Sequence, residues 1–558
     1  MGAALLSASA CARPAVPPVL YDWFAYDGHD AEFSPSLPPG DYRNPVLAGF
    51  HPDPSVVRVG DRFYLVNSSF AYFPGIPVFE SRDLVHWRQI GDVIERPSEL
   101  PYDGLGVSQG VFAPDISYHA GVFYVVNTFV GGGHGGGGSY VVTARDPAGP
   151  WSDPVWLPSV DGIDPSLFFD ADGKAYLLYS GEPPGGSRYA GQRALWLQRF
   201  DPATLRLVGP RKMVLYGGVD PAARPVWAEG PHLFRHAGWY FLSFAQGGTG
   251  LQHSQMVLRG RSPWGPFQAD PENPILTQRG LPAGRAQPVI NAGHADLVEA
   301  ADGSWWAVFL ASRAYDGVHY NTGRETFLLR VRWKDGWPVI LPHGEAVPFI
   351  AAGPAFMERE VTQAPLSGNF DWRDDFDESR LRRAWLYLRA PTRAWASLAV
   401  KPGWLAIDPS TAGLDSTHNP SFLARRQQHL VFTASTALEP PAQPGVDAGI
   451  ALFQDDSHWY FLGFRRRGEA LELFLEEDAG GPPRVVAHAR LAPPRGELRL
   501  KIAGDRGSVA FAYASGQGGW RWLKRGADAT ILSTDVAGGF VGTVVGPYAR
   551  LSPAGGRD

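Results

Sequence analysis

Gly49-Phe50-His51-Pro52-Asp53-Pro54-Ser55 reads as the entry to a short strand with an acid at its tip. Val56-Val57 follows, then a turn at Gly60-Asp61, then the apolar run Phe63-Tyr64-Leu65-Val66. The same signature returns four times. Ala113-Pro114-Asp115-Ile116 leads through Gly121 to Phe123-Tyr124-Val125-Val126. Asp164-Pro165-Ser166-Leu167-Phe168 leads through Asp172-Gly173 to Ala175-Tyr176-Leu177-Leu178. Glu229-Gly230-Pro231-His232-Leu233 leads through Gly238 to Trp239-Tyr240-Phe241-Leu242. His294-Ala295-Asp296-Leu297-Val298 leads through Asp302-Gly303 to Trp305-Trp306-Ala307-Val308. The period is roughly 50–65 residues, longer than a common kelch or WD repeat. Five such units of hairpin-joined short strands predict a five-bladed β-propeller over residues 21–348.

In a propeller the first strand of each blade runs beside the central axis, so equivalent positions face one another around a shallow funnel. Here that position reads Asp53, Ala113, Asp164, Glu229, His294. Any one of them alone is ordinarily a turn or cap residue before a strand. Three acids at one repeat-equivalent position are harder to explain that way, because like charges held close cost free energy unless chemistry requires them. They are the candidate active site.

Composition narrows the partner. Of 558 residues 44% are hydrophobic, enough for two substantial cores. The 13% aromatic content, with 19 Trp and 66 Gly, suits a β-rich protein that handles a flat, hydroxylated ligand. A net charge of −6 without any basic run argues against nucleic acid. No apolar run approaches the roughly 18 residues of a membrane-spanning helix. The single cysteine, Cys11, excludes an intrachain disulfide. Residues 1–20 read as a leader. Ala4-Leu5-Leu6-Ser7-Ala8-Ser9-Ala10-Cys11 resembles the end of a bacterial lipoprotein signal, without its positive n-region and with a short apolar core. A signal remnant would place the protein in the periplasm or lipid-anchored to the envelope, whereas an untethered leader would leave it cytoplasmic.

Taken in order, residues 21–48 read as a polar lead-in. Asn67-Ser68-Ser69-Phe70-Ala71-Tyr72-Phe73-Pro74-Gly75 offers aromatics that either stack on a sugar face or cluster beneath their own loop. The loop Gly131-Gly132-Gly133-His134-Gly135-Gly136-Gly137-Gly138 is not a phosphate loop, since no Gly-Lys-Ser/Thr and no helix follow it, and His134 reads as solvated. Arg324 follows Gly323 and precedes the run 326–331, so it is either a surface charge or returns to the funnel. Residues 349–370 read as a linker, and 371–558 as a β-sandwich. In the latter, Leu498, Leu500 and Ile502 form one alternating face and Val509, Phe511 and Tyr513 another.

The motifs Asn44-Pro45-Val46, His51-Pro52-Asp53-Pro54-Ser55, Gly162-Ile163-Asp164-Pro165-Ser166, Glu229-Gly230-Pro231-His232, Gly293-His294-Ala295-Asp296 and Gly323-Arg324-Glu325-Thr326 together resemble glycoside hydrolase family 43, and within it the bacterial β-xylosidases. Ala424-Arg425-Arg426-Gln427-Gln428-His429 and Gly539-Phe540-Val541-Gly542-Thr543 resemble the C-terminal concanavalin-like (jelly-roll) sandwich of those enzymes, so the likeness spans residues 42–558. It implies an all-β chain, a five-bladed propeller followed by that sandwich, and hydrolysis in one displacement with inversion. Asp53 would be the general base, Glu229 the general acid, and Asp164 the residue that raises the acid's pKa and orients it. An inverting pair stands about 6.5–9.5 Å apart to admit water. Arg324 would bind sugar hydroxyls, and Phe70 and Phe112 would line the pocket. His294 would sit at the pocket floor, forming a hydrogen bond or touching a central metal ion, usually calcium, for which a lone imidazole is a poor ligand. No other cofactor is implied.

One position departs from the family pattern. Residue 112 is often Trp in such xylosidases and is Phe here, which bears on xylose-versus-arabinose preference. Phe540 either reaches over the propeller and narrows the pocket or belongs to the sandwich core. The leading expectation is an exo-acting β-xylosidase acting on xylo-oligosaccharides. An α-L-arabinofuranosidase or a bifunctional enzyme is the nearest alternative, and a non-catalytic sugar-binding propeller a more distant one. The sequence leaves open whether copies associate into a homo-oligomer.

Overall fold

The computed structural model describes residues 16–131, 137–282, 284–286, 288–358, 365–491, 496–516 and 518–552. Cys11 with its leader motif and His134 lie outside the described residues. Five antiparallel sheets, each built on four principal strands with a short fifth in two of them, follow one another around an axis. Blade I comprises Ser55–Val59, Arg62–Val66, Gly75–Ser81 and Arg88–Ile94, and blade II is built on Asp115–His119, Val122–Val130, Gly138–Ala144 and Val155–Trp156. Blade III comprises Gly162–Phe169, Ala175–Gly181, Ala194–Asp201 and Arg206–Tyr216. Blade IV is Glu229–His236, Trp239–Gln246, Ser254–Gly260 and Gln268–Ala269, and blade V is Val289–Glu299, Trp305–Arg313, Glu325–Lys334 and Trp337–Val339. The turn glycine between the first two strands of each blade (Gly60, Gly121, Gly173, Gly238, Gly303) has φ between 65° and 81°, which explains why Gly recurs there. The second strands read as unbroken apolar runs because both faces are covered by neighbouring blades; every residue of Trp305–Arg313 is buried.

The first and last blades are joined by the segment that carries the chain into blade I. Asn44 acts there as a substitute peptide group: its Nδ2 donates to Leu328 O at 2.9 Å and its Oδ1 accepts from Leu328 N at 2.8 Å. His51 N donates to Arg324 O at 2.9 Å. Asp53 and Arg324, some 270 residues apart, are thereby delivered side by side.

The second unit is a sandwich of two eight-stranded sheets. Here the domain reading needs correction. Val19–Gly28 is not a lead-in to the propeller but a strand of the sandwich, antiparallel to Val431–Leu438. Tyr21, Phe24 and Tyr26 point into its core, and Tyr21 Oη donates to Tyr548 O at 2.8 Å. Part of the expected linker is also in sheet, with Ile350–Ala352 paired to Asp41–Arg43. Conversely, blade I lends Tyr72–Phe73 to the sandwich, where they extend a sheet beside Leu386–Leu388. The apolar core of blades I and II runs without interruption into that sheet. The described residues contain no helix long and apolar enough to cross a membrane.

Buried arginines seal the seam. Arg426 donates to Phe50 O at 2.8 Å, and Arg389 to Leu105 O at 2.6 Å. Arg313, 1% exposed, meets Asp30 at 2.5 Å, Glu325 at 2.8 and 3.0 Å, and Gln428 O at 2.7 Å. Arg313→Met keeps the volume but strands two buried carboxylates without their cation. The expected loss is about 3–5 kcal/mol of stability, read as a lowered denaturation midpoint.

Candidate active site

All five repeat-equivalent residues, Asp53, Ala113, Asp164, Glu229 and His294, line one cavity of about 390 Å³ at the mouth of the propeller axis. Local backbone features turn them there. Asp53, Asp164 and His294 hold φ of 52°, 53° and 50°, a left-handed conformation that costs a non-glycine residue roughly 1–3 kcal/mol and collects at functional sites. In blade IV the kink falls one residue later, at Gly230 with φ 55°. A Cβ there would lie 2.5 Å from His294 Nε2, so only glycine fits. Each of the inner strands of blades III, IV and V carries a register shift at this position (between Ile163 and Ser166, Glu229 and His232, and Gly293 and Asp296). Such bulges re-aim side chains next to active sites.

The three acids have unequal surroundings. Asp53 accepts from Ser68 Oγ at 2.6 Å and from Arg324 Nη1 at 3.2 Å, and its Oδ1 lies 3.4 Å from His294 Nδ1. Burial pushes its pKa up, but Arg324, His294 and the Ser68 bond outweigh it, so the carboxylate is held below its usual range. Asp164 is pushed up to about 7 by burial and then by the Asp53 charge, against a 3.0 Å bond from Gly230 N–H. Glu229 is raised well above the ordinary value by desolvation, then by Asp164 and Asp53. The surroundings of Glu229 therefore favour its protonated form, and those of Asp53 its charged form. Asp53 and Asp164 are buried, whereas Glu229 retains some exposure toward the cavity.

Arg324 returns to the funnel rather than to the surface. It also reaches Thr249 Oγ1 at 3.0 Å and Phe540 O at 3.3 Å. Phe70, Phe112 and Phe540 form one wall, with ring centroids 5.5–5.8 Å apart. Phe540 comes from the sandwich and is held over the propeller by its N–H on Ser108 Oγ at 2.8 Å, so it belongs to the pocket. Of the loop aromatics, Phe70 lines the pocket while Tyr72 and Phe73 pack in the interdomain core.

His294 does not suit calcium. Burial, ahead of the opposing Asp53 charge, pulls its pKa down to about 4, which leaves a neutral imidazole. The axial cavity beneath it, bounded also by Asp115, Asp164 and His232, measures about 10 Å³. That is room for about one water, whereas calcium takes six to eight oxygen ligands at about 2.3–2.6 Å.

Several residues of the site carried no mark in the sequence. Ser68, which donates to Asp53, lay among the aromatics of residues 67–75, and Trp227, which lines the pocket, stands two residues before Glu229. Thr249 and Arg193, whose guanidinium sits 4.5 Å over the Trp227 ring, carried no signal.

The comparisons with known proteins agree with this architecture. The profile described as Glycosyl hydrolases family 43 matches residues 42–338, and that of the beta xylosidase C-terminal Concanavalin A-like domain matches 373–556. A xylosidase/arabinosidase of Butyrivibrio fibrisolvens is 37% identical over 511 residues, covering 91% of this chain and 95% of the relative. A non-reducing end alpha-L-arabinofuranosidase of Bacteroides ovatus is 37% identical over 527 residues, 92% of each chain. Among solved structures, a GH43_12 protein retrieved from the capybara gut metagenome superposes with a TM-score of 0.89 at 34% identity, covering 96% of this chain and 100% of its own. The xylan beta-1,4-xylosidase of Bacillus halodurans superposes with a TM-score of 0.82 at 33% identity, covering 91% and 96%. With a propeller whose axis gathers these acids and a sandwich that closes the pocket, the chain belongs to glycoside hydrolase family 43.

Proposed function

We propose that this enzyme is an exo-acting, inverting β-xylosidase that removes single xylose units from the non-reducing end of β-1,4-xylo-oligosaccharides. The observation that carries the reading is the pocket: about 390 Å³, with a phenylalanine wall completed by Phe540 from the second domain. A groove open at both ends would suit mid-chain cleavage; a wall laid across the propeller mouth suits one terminal sugar.

The roles follow from the environments. Asp53, charged and held by Ser68 and Arg324, takes a proton from water as it attacks the anomeric carbon. Glu229 gives its proton to the departing glycosidic oxygen. Asp164 keeps that proton on Glu229 through its own negative charge, and its bond to Gly230 N–H fixes the turn that carries the acid. Arg324, clasped by Asp53 and Phe540 O, presents N–H donors to sugar hydroxyls.

An α-L-arabinofuranosidase is the second reading. Phe112 in place of a larger indole, and two relatives named for arabinose-releasing activities, favour it. The deciding measurement is kcat/KM on 4-nitrophenyl β-D-xylopyranoside against 4-nitrophenyl α-L-arabinofuranoside, with and without chelator. We expect the xyloside to be preferred and chelation to change nothing. An arabinoside preference would transfer the assignment to the second reading. NMR of the first-formed sugar should show the inverted anomer, and retention would overturn the mechanism.

A further inference from the structure

Beneath the ring of acids lies a second tier of axial side chains: Ser55 from blade I, Asp115 from blade II, His232 from blade IV and Asp296 from blade V. His232 Nδ1 stands 3.5 Å from Asp115 Oδ1 and 3.6 Å from Asp296 Oδ1. Ser55 Oγ lies between the two carboxylates, 3.2 Å from Asp115 Oδ1 and 3.0 Å from Asp296 Oδ2, and donates its proton to one of them. Both acids are supplied with donors at their remaining positions. Asp115 Oδ2 accepts from Ser117 Oγ at 2.9 Å and Leu167 N at 3.0 Å; Asp296 accepts from Val56 N and Leu297 N, each at 2.9 Å. Donors at both oxygens stabilise the charged carboxylate; at Asp296 burial works against them and pushes its pKa up, with His232 as the main opposing influence. Two buried negative charges this close need a cation between them.

We propose that His232, held as an imidazolium between Asp115 and Asp296, is the resident positive charge of the propeller axis, in place of a metal ion, and that it positions and tunes the Asp164–Glu229 pair directly above it. The inference rests on the acid role of Glu229 given above.

Three observations support it. His232 ends the bulge that begins at Glu229, so anchoring its ring anchors the backbone that presents the acid. Pro231 O, between them, accepts from Ser166 Oγ, which ties the same turn to blade III. The axial void is one water in size, too small for a hydrated ion. The charges agree with this arrangement: burial works against protonation of His232, but Asp296 and then Asp115 outweigh it and push its pKa up to about 9. Asp164 and His294 are the other titratable groups facing it, and a cation here lowers the proton affinity of Asp164. With the cation in place, Asp164 stays ionised to lower pH and goes on accepting from Gly230 N–H as a carboxylate, which fixes the turn that presents Glu229.

The test uses the full chain. The imidazole nitrogens of His232, assigned by NMR difference against His232→Gln, should both be protonated at pH 7.5 in the wild-type protein, and elemental analysis should find no stoichiometric metal. In His232→Gln, Asp164 takes up a proton at higher pH, so the acid limb of the kcat/KM profile should rise by about one pH unit. kcat should fall about tenfold while KM stays within about twofold. A neutral His232 in the wild type, or a bound metal that the variant loses, would overturn the proposal, as would a variant with lowered Tm but an unmoved pH profile. The charge state and metal content are read without substrate, so they hold or fail independently of the assigned reaction.

Discussion

Asp53→Ala should lower kcat by at least about a thousandfold on every glycoside, activated or not. Inversion in one step has no other source of nucleophile than the water that Asp53 deprotonates, so a better leaving group does not bypass the loss. The side chain sits at a strained φ of 52°, and alanine relieves none of that strain, so the structure around it should persist. Asp53→Asn is the control. It keeps the volume and can keep a contact with Ser68, but it cannot accept a proton, and it should be equally inactive. KM on 4-nitrophenyl β-D-xylopyranoside should change by no more than a few-fold in either variant, because binding is left to Arg324 and the phenylalanine wall. The electrostatics add a pH signature. Arg324 and the Ser68 bond hold Asp53 below the ordinary carboxylate range, so the base remains charged well into acid. The wild-type acid limb then reports protonation of Asp164, pushed up to about 7, more than that of Asp53. If Asp53→Ala retained substantial turnover on the aryl xyloside, another residue would have to be the base.

How much of this could be read in the sequence depended on whether contacts were local. The blades were legible because each contains its own hairpin, with a left-handed glycine at a fixed offset and an apolar second strand. Once five such units were aligned, the ring Asp53, Ala113, Asp164, Glu229, His294 followed from geometry alone. The N-terminal strand was not legible. Its alternation is broken by an irregularity between Tyr21 and Trp23, and its partners lie some 400 residues away. Tyr72–Phe73 looked like loop aromatics because two residues are too few to show a strand period, yet they extend a sandwich sheet. Phe540 could be stated only as a choice between core and pocket, since its destination depends on how the two domains dock. The axial tier was half visible. Asp115 and Asp296 recur two residues past the ring position, as do Ser55 and Ser166, but the blade IV bulge delays His232 to the third. A count by fixed offset therefore passes it over, and pairwise spacing could not reveal that three blades meet on one imidazole.

Glu229→Ala should divide substrates by leaving group. On xylobiose the departing sugar hydroxyl is a poor leaving group that must be protonated as the bond breaks, and a loss of about 10³–10⁴ in kcat/KM is expected. On 4-nitrophenyl β-D-xylopyranoside the phenolate departs with little help, and the loss should be about tenfold or less. The pH dependence should separate in the same way. Desolvation and the charges of Asp164 and Asp53 raise Glu229 well above an ordinary carboxyl, so the wild-type basic limb marks loss of its proton as pH rises through that raised value. In Glu229→Ala that limb should vanish on the aryl substrate, while the acid limb, set by the other two carboxylates, should remain. Asp164→Asn makes the complementary case. Removing its negative charge takes away the second-largest push on Glu229, so the basic limb should move to lower pH without disappearing. This sign is opposite to that expected if Asp164 were itself the acid, because the limb would then be abolished by Asp164→Asn and survive in Glu229→Ala. Equal losses on xylobiose and the aryl xyloside in Glu229→Ala would likewise remove Glu229 from the role of proton donor.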